Sequence, residues 1–288
     1  MRRMFPARNP IRRLIGYVPC LEGQDFVVSF QSNDKSKKIK GGAAFSFLFS
    51  LFSFLFFFPF GCAYRYAVGP LVPLGEETQG PRMSVADDGT VAYTYERLEI
   101  SVRPMTDAEL NRQFANASRG GMESTNPYTY GDWIPRGEKI TPSRFTVFLL
   151  TVKNYTFPKI VVDPSKVLIT TQNGRVYSPL SLQYLKEYYV SFVIGYAGNA
   201  TQRYEERKDI LLRTLFPRDE PLFSGQSQRG YIVFPVLHED VREITIELRD
   251  IILRFDSWGK PVEKLNVAYH FRREVEVVRP GSQKVSVD

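Results

Sequence analysis

The chain has 288 residues and a formal net charge of +7, but residues 1–61 hold nine of its 38 Lys and Arg residues and only three of its 31 Asp and Glu residues. Residues 62–288 therefore carry 29 basic and 28 acidic side chains, so the basic balance belongs to the N-terminal segment and does not indicate nucleic-acid binding. The two cysteines are Cys20 and Cys62, which excludes an internal disulfide or a cysteine zinc site within 62–288.

The apolar run 42–60 has no charged residue over 19 positions; four lysines between 35 and 40 precede it, and Gly61-Cys62 follows it. This order resembles the export signal of bacterial lipoproteins, in which the basic residues stay on the cytoplasmic side of an inserting apolar segment. The resemblance implies that 1–61 is a leader that is removed. Cys62 would then be the first residue of the mature chain and carry acyl chains such as palmitate.

Two alternatives to a cleaved leader stay open. A run of this length can just span a bilayer, so 42–60 could instead remain as a single-pass anchor in the inner membrane. A buried core helix is the third interpretation. The composition of 42–60 argues against it, because such a helix would have no polar face toward solvent. The leader is also long for an export signal, and residues 1–30 could be a gene-start error with translation beginning near Val27 or Val28.

The next segment, 62–90, is rich in Gly, Pro and Asp with little periodicity, which predicts a tether. Residues 91–102 alternate apolar and polar side chains and change parity midway, which predicts one bulged strand or two short ones. Thr106 and Glu109 are spaced as a capping box and predict a short helix that continues to about Ala115.

Residues 144–153 are apolar on both faces and predict a central strand that ends at Asn154. Asn173-Gly174 predicts a hairpin turn, and 256–261 predicts the turn between the last two long strands. Helical patterns at 180–192 and 201–215 predict an insert at about 180–216, with 205–208 largely on the face opposite its apolar residues. The remaining predicted strands are 159–162, 166–171, 175–178, 230–236, 243–255 and 262–278, followed by a tail at 280–288.

Seven or eight strands without alternating helices predict a mainly β protein, an antiparallel β-sandwich over 91–279. The spacing of Asn154, Asn173-Gly174, Gly225, Gly230 and Phe234 resembles that of the immunoglobulin-like domains of bacterial envelope lipoproteins. The resemblance covers about 91–256. It implies an immunoglobulin-like sandwich, with the helical insert as a departure from it, and an extracytoplasmic binding or assembly role.

Candidate chemistry is sparse. The two histidines, His238 and His270, are the only bases for a serine triad, and the acids near His238 match no metal-binding spacing. We therefore expect no catalytic residue, metal or cofactor. Tyr128, Tyr130 and Trp133 are clustered in one loop, which indicates either a flat ligand-binding platform or rings that pack against the end of the sandwich.

These observations predict a lipid-anchored binding or assembly protein of the cell envelope that has no enzymatic activity. Its partners would be the membrane, through lipid on Cys62 or through 42–60, and other envelope proteins. Ala63 follows Cys62, which favours the periplasmic side of the outer membrane. A carbohydrate- or peptidoglycan-binding lipoprotein and a membrane-anchored envelope hydrolase are the alternative functions.

Overall fold

The computed structural model of the chain describes residues 65–136, 141–195, 199–218 and 220–278. The first seven strands of the described residues, in chain order, are β1 Arg65–Val68, β2 Val72–Pro73, β3 Met83–Val85, β4 Val91–Tyr95, β5 Leu98–Met105, β6 Thr146–Asn154 and β7 Lys159–Ile160. The next seven strands are β8 Val167–Thr171, β9 Val176–Tyr177, β10 Leu222–Phe223, β11 Gln226–Phe234, β12 Glu243–Phe255, β13 Pro261–Arg272 and β14 Val275–Val278. The α-helices are α1 Glu76–Gln79, α2 Asp107–Gln113, α3 Leu182–Gly195 and α4 Ala200–Thr214.

The first sheet has five antiparallel strands in the order β11-β6-β5-β4-β3. The predicted strand at 91–102 is two strands, β4 and β5, joined by a turn in which Glu96 adopts a φ of 44°. The predicted central strand is β6, and it ends at Asn154 as expected. The side-chain amide of Asn154 donates to the carbonyl oxygens of Phe157 and Leu222, at 2.7 and 3.0 Å. It therefore supplies hydrogen-bond donors to these backbone carbonyls at the end of the strand.

The second sheet also has five antiparallel strands, in the order β2-β13-β12-β8-β9. Its centre is the long β12–β13 hairpin. The Asp256 carboxylate accepts hydrogen bonds from the backbone N–H groups of Trp258 and Lys260 and closes the predicted turn. Gly174 has a φ of 79° in the predicted β8–β9 turn, a conformation that glycine adopts without strain.

The two sheets face each other across one buried cluster of apolar side chains. Phe148 of the first sheet and Phe271 of the second have ring centroids 5.7 Å apart. The hydroxyl of Tyr269, on the second sheet, donates a 2.8 Å hydrogen bond to the carbonyl of Ile100 on the first. The described part of the protein is therefore mainly β, with antiparallel sheets joined through their inner faces.

Helices cover part of the opposite face of the first sheet. A second buried cluster joins Leu149 of β6 and Tyr231 of β11 to Leu110 of α2, Leu185 of α3 and Leu211 of α4. The predicted capping box starts α2: Thr106 Oγ1 accepts from the Glu109 N–H, and the Glu109 carboxylate accepts from the Thr106 N–H. The helices predicted at 180–192 and 201–215 are α3 and α4.

The prediction of a tether at 62–90 is wrong for the residues that the structure describes. Strand β1 pairs with β14, β2 pairs with β13, and β3 is the edge strand of the first sheet. Helix α1 is fixed by Gln79, whose side chain is buried and exchanges hydrogen bonds with the backbone of His270. The folded region therefore begins by Arg65 and not near residue 91.

Candidate functional site

The predicted aromatic platform is wrong for Tyr128, which is fully buried. Its hydroxyl lies 2.5 Å from the hydroxyl of Thr214 on α4. Its ring makes an edge contact with that of Tyr231, at a centroid distance of 5.0 Å, and another contact with Phe114. Burial of the phenol raises the pKa of Tyr128 far above its ordinary value, so the hydroxyl stays protonated and bonded. This ring packs the loop against the helices and is not available to a ligand.

Tyr130 and Trp133 are half-buried, with ring centroids 5.4 Å apart. The guanidinium of Arg144 lies 4.0 Å from the Tyr130 ring centroid, so one face of that ring is already occupied by a cation. Arg144 is itself buried and donates to the Asn126 carbonyl and to the Tyr189 hydroxyl, both at 3.2 Å. The arrangement supports the loop.

A second buried arginine, Arg207 of α4, holds the same loop. Its Nη2 donates to the Ser124 carbonyl at 2.6 Å, and its guanidinium lies 5.1 Å from the Tyr189 ring centroid. The helical pattern predicts that residue 207 lies on the solvent side of the helix, and this prediction is wrong because Arg207 is buried. The helical pattern could not reveal that a loop from an earlier part of the chain would cover this position.

The two histidines have different hydrogen-bond partners. His238 Nδ1 lies 2.6 Å from Asp240 Oδ1, but Arg175 donates to the same carboxylate oxygen and the histidine side chain is exposed. His270 Nδ1 lies 3.0 Å from the Thr245 hydroxyl. The hydrolase hypothesis requires a histidine beside a serine or carboxylate within a cleft. The His238–Asp240 pair does not meet this requirement, because it lies on an exposed turn.

A trough of about 570 Å³ lies on the outer face of the first sheet, beside the part that the helices cover. Its floor consists of the small side chains of Ala92, Ser101 and Thr151, which lie side by side on β4, β5 and β6. Charged side chains surround this floor: Asp88, Glu99, Arg103, Lys153 and Arg229. An open surface with a charged rim suits an extended ligand that has polar groups better than a small apolar molecule.

Most charges at the trough are paired. Lys153 Nζ lies 2.8 Å from Glu99 Oε1, and this hydrogen bond raises the pKa of Lys153. Arg103 lies 3.6 Å from Asp88 and 3.3 Å from Glu109. The hydrogen bond from Thr90 lowers the pKa of Asp88, so this carboxylate stays ionised. Such exposed pairs contribute little to stability, and they leave the trough close to neutral overall.

Arg229, at the end of the trough, differs from these paired groups. Its side chain is exposed on the edge strand β11, and it makes no ion pair with any residue in the described part of the chain. The trough residues belong to no sequence motif that predicts a site. The signal was present in β5 and β6, because Glu99, Ser101, Arg103, Thr151 and Lys153 occupy alternate positions on one polar face.

The predicted lipidation site Cys62 and the apolar run 42–60 lie outside the described residues. Among the residues that the structure describes, no helix is both long and apolar enough to cross a bilayer. The same residues contain no group of three or more His, Cys, Asp or Glu side chains placed to hold a metal ion. Comparison with protein-family models, with curated proteins and with solved structures finds no match to this chain.

Proposed function

We propose that this protein is a lipid-anchored component of the bacterial cell envelope that binds another envelope protein and does no chemistry on it. The single observation that supports binding is the trough, whose floor of small side chains and paired charged rim offer an extended partner many polar contacts. The fold that goes with this proposal is an immunoglobulin-like sandwich with α3 and α4 as a helical insert. The two sheets that share one core favour it.

The anchor is proposed from the sequence. Lipid on Cys62 would restrict the protein to a membrane surface, and two or more acyl chains give the stable attachment that one chain does not. Binding at a surface also needs less intrinsic affinity, because anchoring raises the effective concentration of the partner. The open form of the trough is compatible with such a weak site.

The anchor is tested by mass spectrometry of the N-terminal peptide from membrane-fractionated protein. We expect an acylated Cys62 as the first residue, and we expect both the lipid and the membrane attachment to be lost in Cys62→Ala. Cys20→Ala is the matched control, because Cys20 is the other cysteine of the chain, and it should leave both unchanged. An intact, unacylated segment 42–61 in the purified protein would refute the lipid anchor and favour the transmembrane alternative.

The binding surface is tested with a photo-cross-linking residue in place of Thr151, in cells of the source organism. Thr170 of β8 is the matched control, because it is also a half-buried threonine at a polar position of a sheet. We expect a discrete adduct with an envelope protein from position 151 and none from position 170. Equal adducts from both positions, or none from either, would refute the trough as the binding surface. An adduct that disappears on digestion of peptidoglycan would favour the carbohydrate alternative.

A further inference from the structure

We infer that the open end of β11 binds an extended, acidic segment of the partner protein as an added β-strand. This inference rests on the proposed binding function and names the chemistry of the partner. Strand β11 is at the edge of the first sheet, and among the described strands only β6 pairs with it in that sheet. An edge strand presents unpaired N–H and C=O groups on its free side, and another extended chain can pair with them.

Half of this edge is already covered by the protein itself. The Phe216 N–H donates to the Tyr231 carbonyl at 2.9 Å, and the Leu180 N–H donates to the Val233 carbonyl at 2.7 Å. These bonds show that the odd-numbered residues of β11 direct their backbone groups away from β6. The cover fits closely, because a Cβ atom on Gly230 would lie 2.4 Å from the Cα of Phe216.

The other half of the edge, at Ser227 and Arg229, is open. The backbone groups of alternate residues in a strand point the same way, so those of Ser227 and Arg229 face the same free side as those of Tyr231. No backbone hydrogen bond from another described segment reaches them. Beside them lies a groove of about 490 Å³, between 226–229 and the residues Pro217, Glu220, Pro221 and Leu222.

The backbone pattern specifies an extended segment as the occupant, since only an extended chain offers N–H and C=O groups at the matching spacing. Pairing with two outward-facing residues allows about four hydrogen bonds, the number that two antiparallel residue pairs exchange. Arg229 then favours a negatively charged ligand, because its exposed guanidinium has no ion-pair partner in the described residues and would donate hydrogen bonds to a ligand carboxylate. Pro217 and Pro221, which also line the groove, favour an apolar side chain. The exposed Glu220 carboxylate, which accepts a 3.3 Å hydrogen bond from Gln228 Nε2, disfavours an acidic side chain at its own position in the groove. The ligand is therefore an extended segment that alternates acidic and apolar residues.

The test uses the full chain in detergent and a synthetic peptide, acetyl-Thr-Val-Glu-Val-Glu-Val-Thr-amide, with a lysine analogue that replaces both glutamates. Amide hydrogen exchange is measured residue by residue. We expect the peptide to slow exchange at Ser227 and Arg229 and to leave Tyr231, which is already covered, unchanged. The lysine analogue should bind at least about tenfold more weakly, as expected for loss of a charge-assisted hydrogen bond.

Two variants separate the backbone from the charge. Ser227→Pro removes one outward N–H, and Arg229→Glu reverses the charge; each should weaken peptide binding by about tenfold or more. Arg242→Glu is the control, because Arg242 is another exposed arginine without an ion pair among the described residues. Unchanged exchange at Ser227 and Arg229, or equal binding by all variants, would overturn the inference. A specific adduct at position 151 that both edge variants leave intact would retain the proposed function while refuting strand addition.

Discussion

Asp107, the first residue of α2, provides the sharpest test of the helix-covered face. Its carboxyl group is removed from water beside Ser143 and Arg144, and burial raises its pKa to about 6, although the Ser143 hydrogen bond and the Arg144 charge act to lower it. The folded protein therefore binds this proton more tightly than the unfolded chain. The stabilising contribution of Asp107 is complete below the unfolded pKa of about 3.9 and is lost as the pH rises toward 6.

We predict that the free energy of unfolding of Asp107→Asn, relative to that of the wild type, is higher at neutral pH than at acid pH. A pKa difference of about two units corresponds to about 3 kcal/mol, and between pH 4.0 and 7.5 about 2–3 kcal/mol of it is observable. The measurement is urea unfolding of the wild type and the variant at both pH values. The difference between the two proteins isolates this residue from the other titrating groups. Asp87→Asn, at an exposed position, gives the baseline for the same substitution.

The result that refutes this reasoning is equally specific. If the stability difference between Asp107→Asn and wild type is the same at both pH values, the carboxyl group is not desolvated in the folded protein. If the variant becomes less stable relative to wild type as the pH rises, the carboxylate is stabilised in its ionised form by Arg144 and the helix N-terminus. In that case attraction by these charges, and not burial, dominates at this position.

Three further substitutions test the packing. Gly230→Ala should destabilise the protein by about 1–3 kcal/mol in urea unfolding, because the new Cβ would displace the backbone of Phe216 from the β11 edge. Tyr269→Phe should cost about 1–2 kcal/mol, because it removes the buried hydrogen bond from one sheet to the Ile100 carbonyl of the other. Arg207→Met should accelerate limited proteolysis of the 118–136 loop about tenfold, because the loop loses a charge-assisted bond to a buried carbonyl.

The glycine and tyrosine substitutions each have a matched control elsewhere in the fold. Gly75→Ala adds a Cβ where no atom lies within 4 Å, and Tyr155→Phe removes a phenol hydroxyl that is exposed to water. Both should leave stability within about 0.5 kcal/mol of the wild type. A harmless Gly230→Ala, equal losses for the two tyrosine variants, or cleavage of the Arg207→Met loop at the wild-type rate would contradict the packing described above.

Local pattern was sufficient for the long elements of this fold. Strands β4 to β6 and the β12–β13 hairpin follow from alternation and turn residues, and α2 follows from its capping box, because these signals act over a few neighbouring residues. The short strands β1 to β3 could not be predicted in this way. Each has two to four residues, and β1 and β2 are formed by pairing with residues about 200 positions away.

The candidate site shows the same division. The polar faces of β5 and β6 were visible in the sequence, but the trough exists because the helices stop short of that part of the sheet. The aromatic composition of the 126–135 loop suggested an exposed binding surface. Tyr128 is instead buried against α4. Composition of a loop does not determine its exposure when the elements that cover it lie about 80 residues further along the chain.

The pairing of Arg65 with Val278 has a geometric consequence for how the protein would stand on a membrane. With lipid on Cys62, only Ala63 and Tyr64 separate the anchor from β1, a reach of about 10 Å. The domain would sit close to the bilayer on the β1–β14 ladder, with little freedom to tilt. The β12–β13 hairpin, of thirteen and twelve residues, is about 40 Å long, and its turn at Trp258 would lie at the end far from the anchor. A fluorophore at position 258 would therefore report the height of the protein, whereas one at position 276, in β14, would lie at its base.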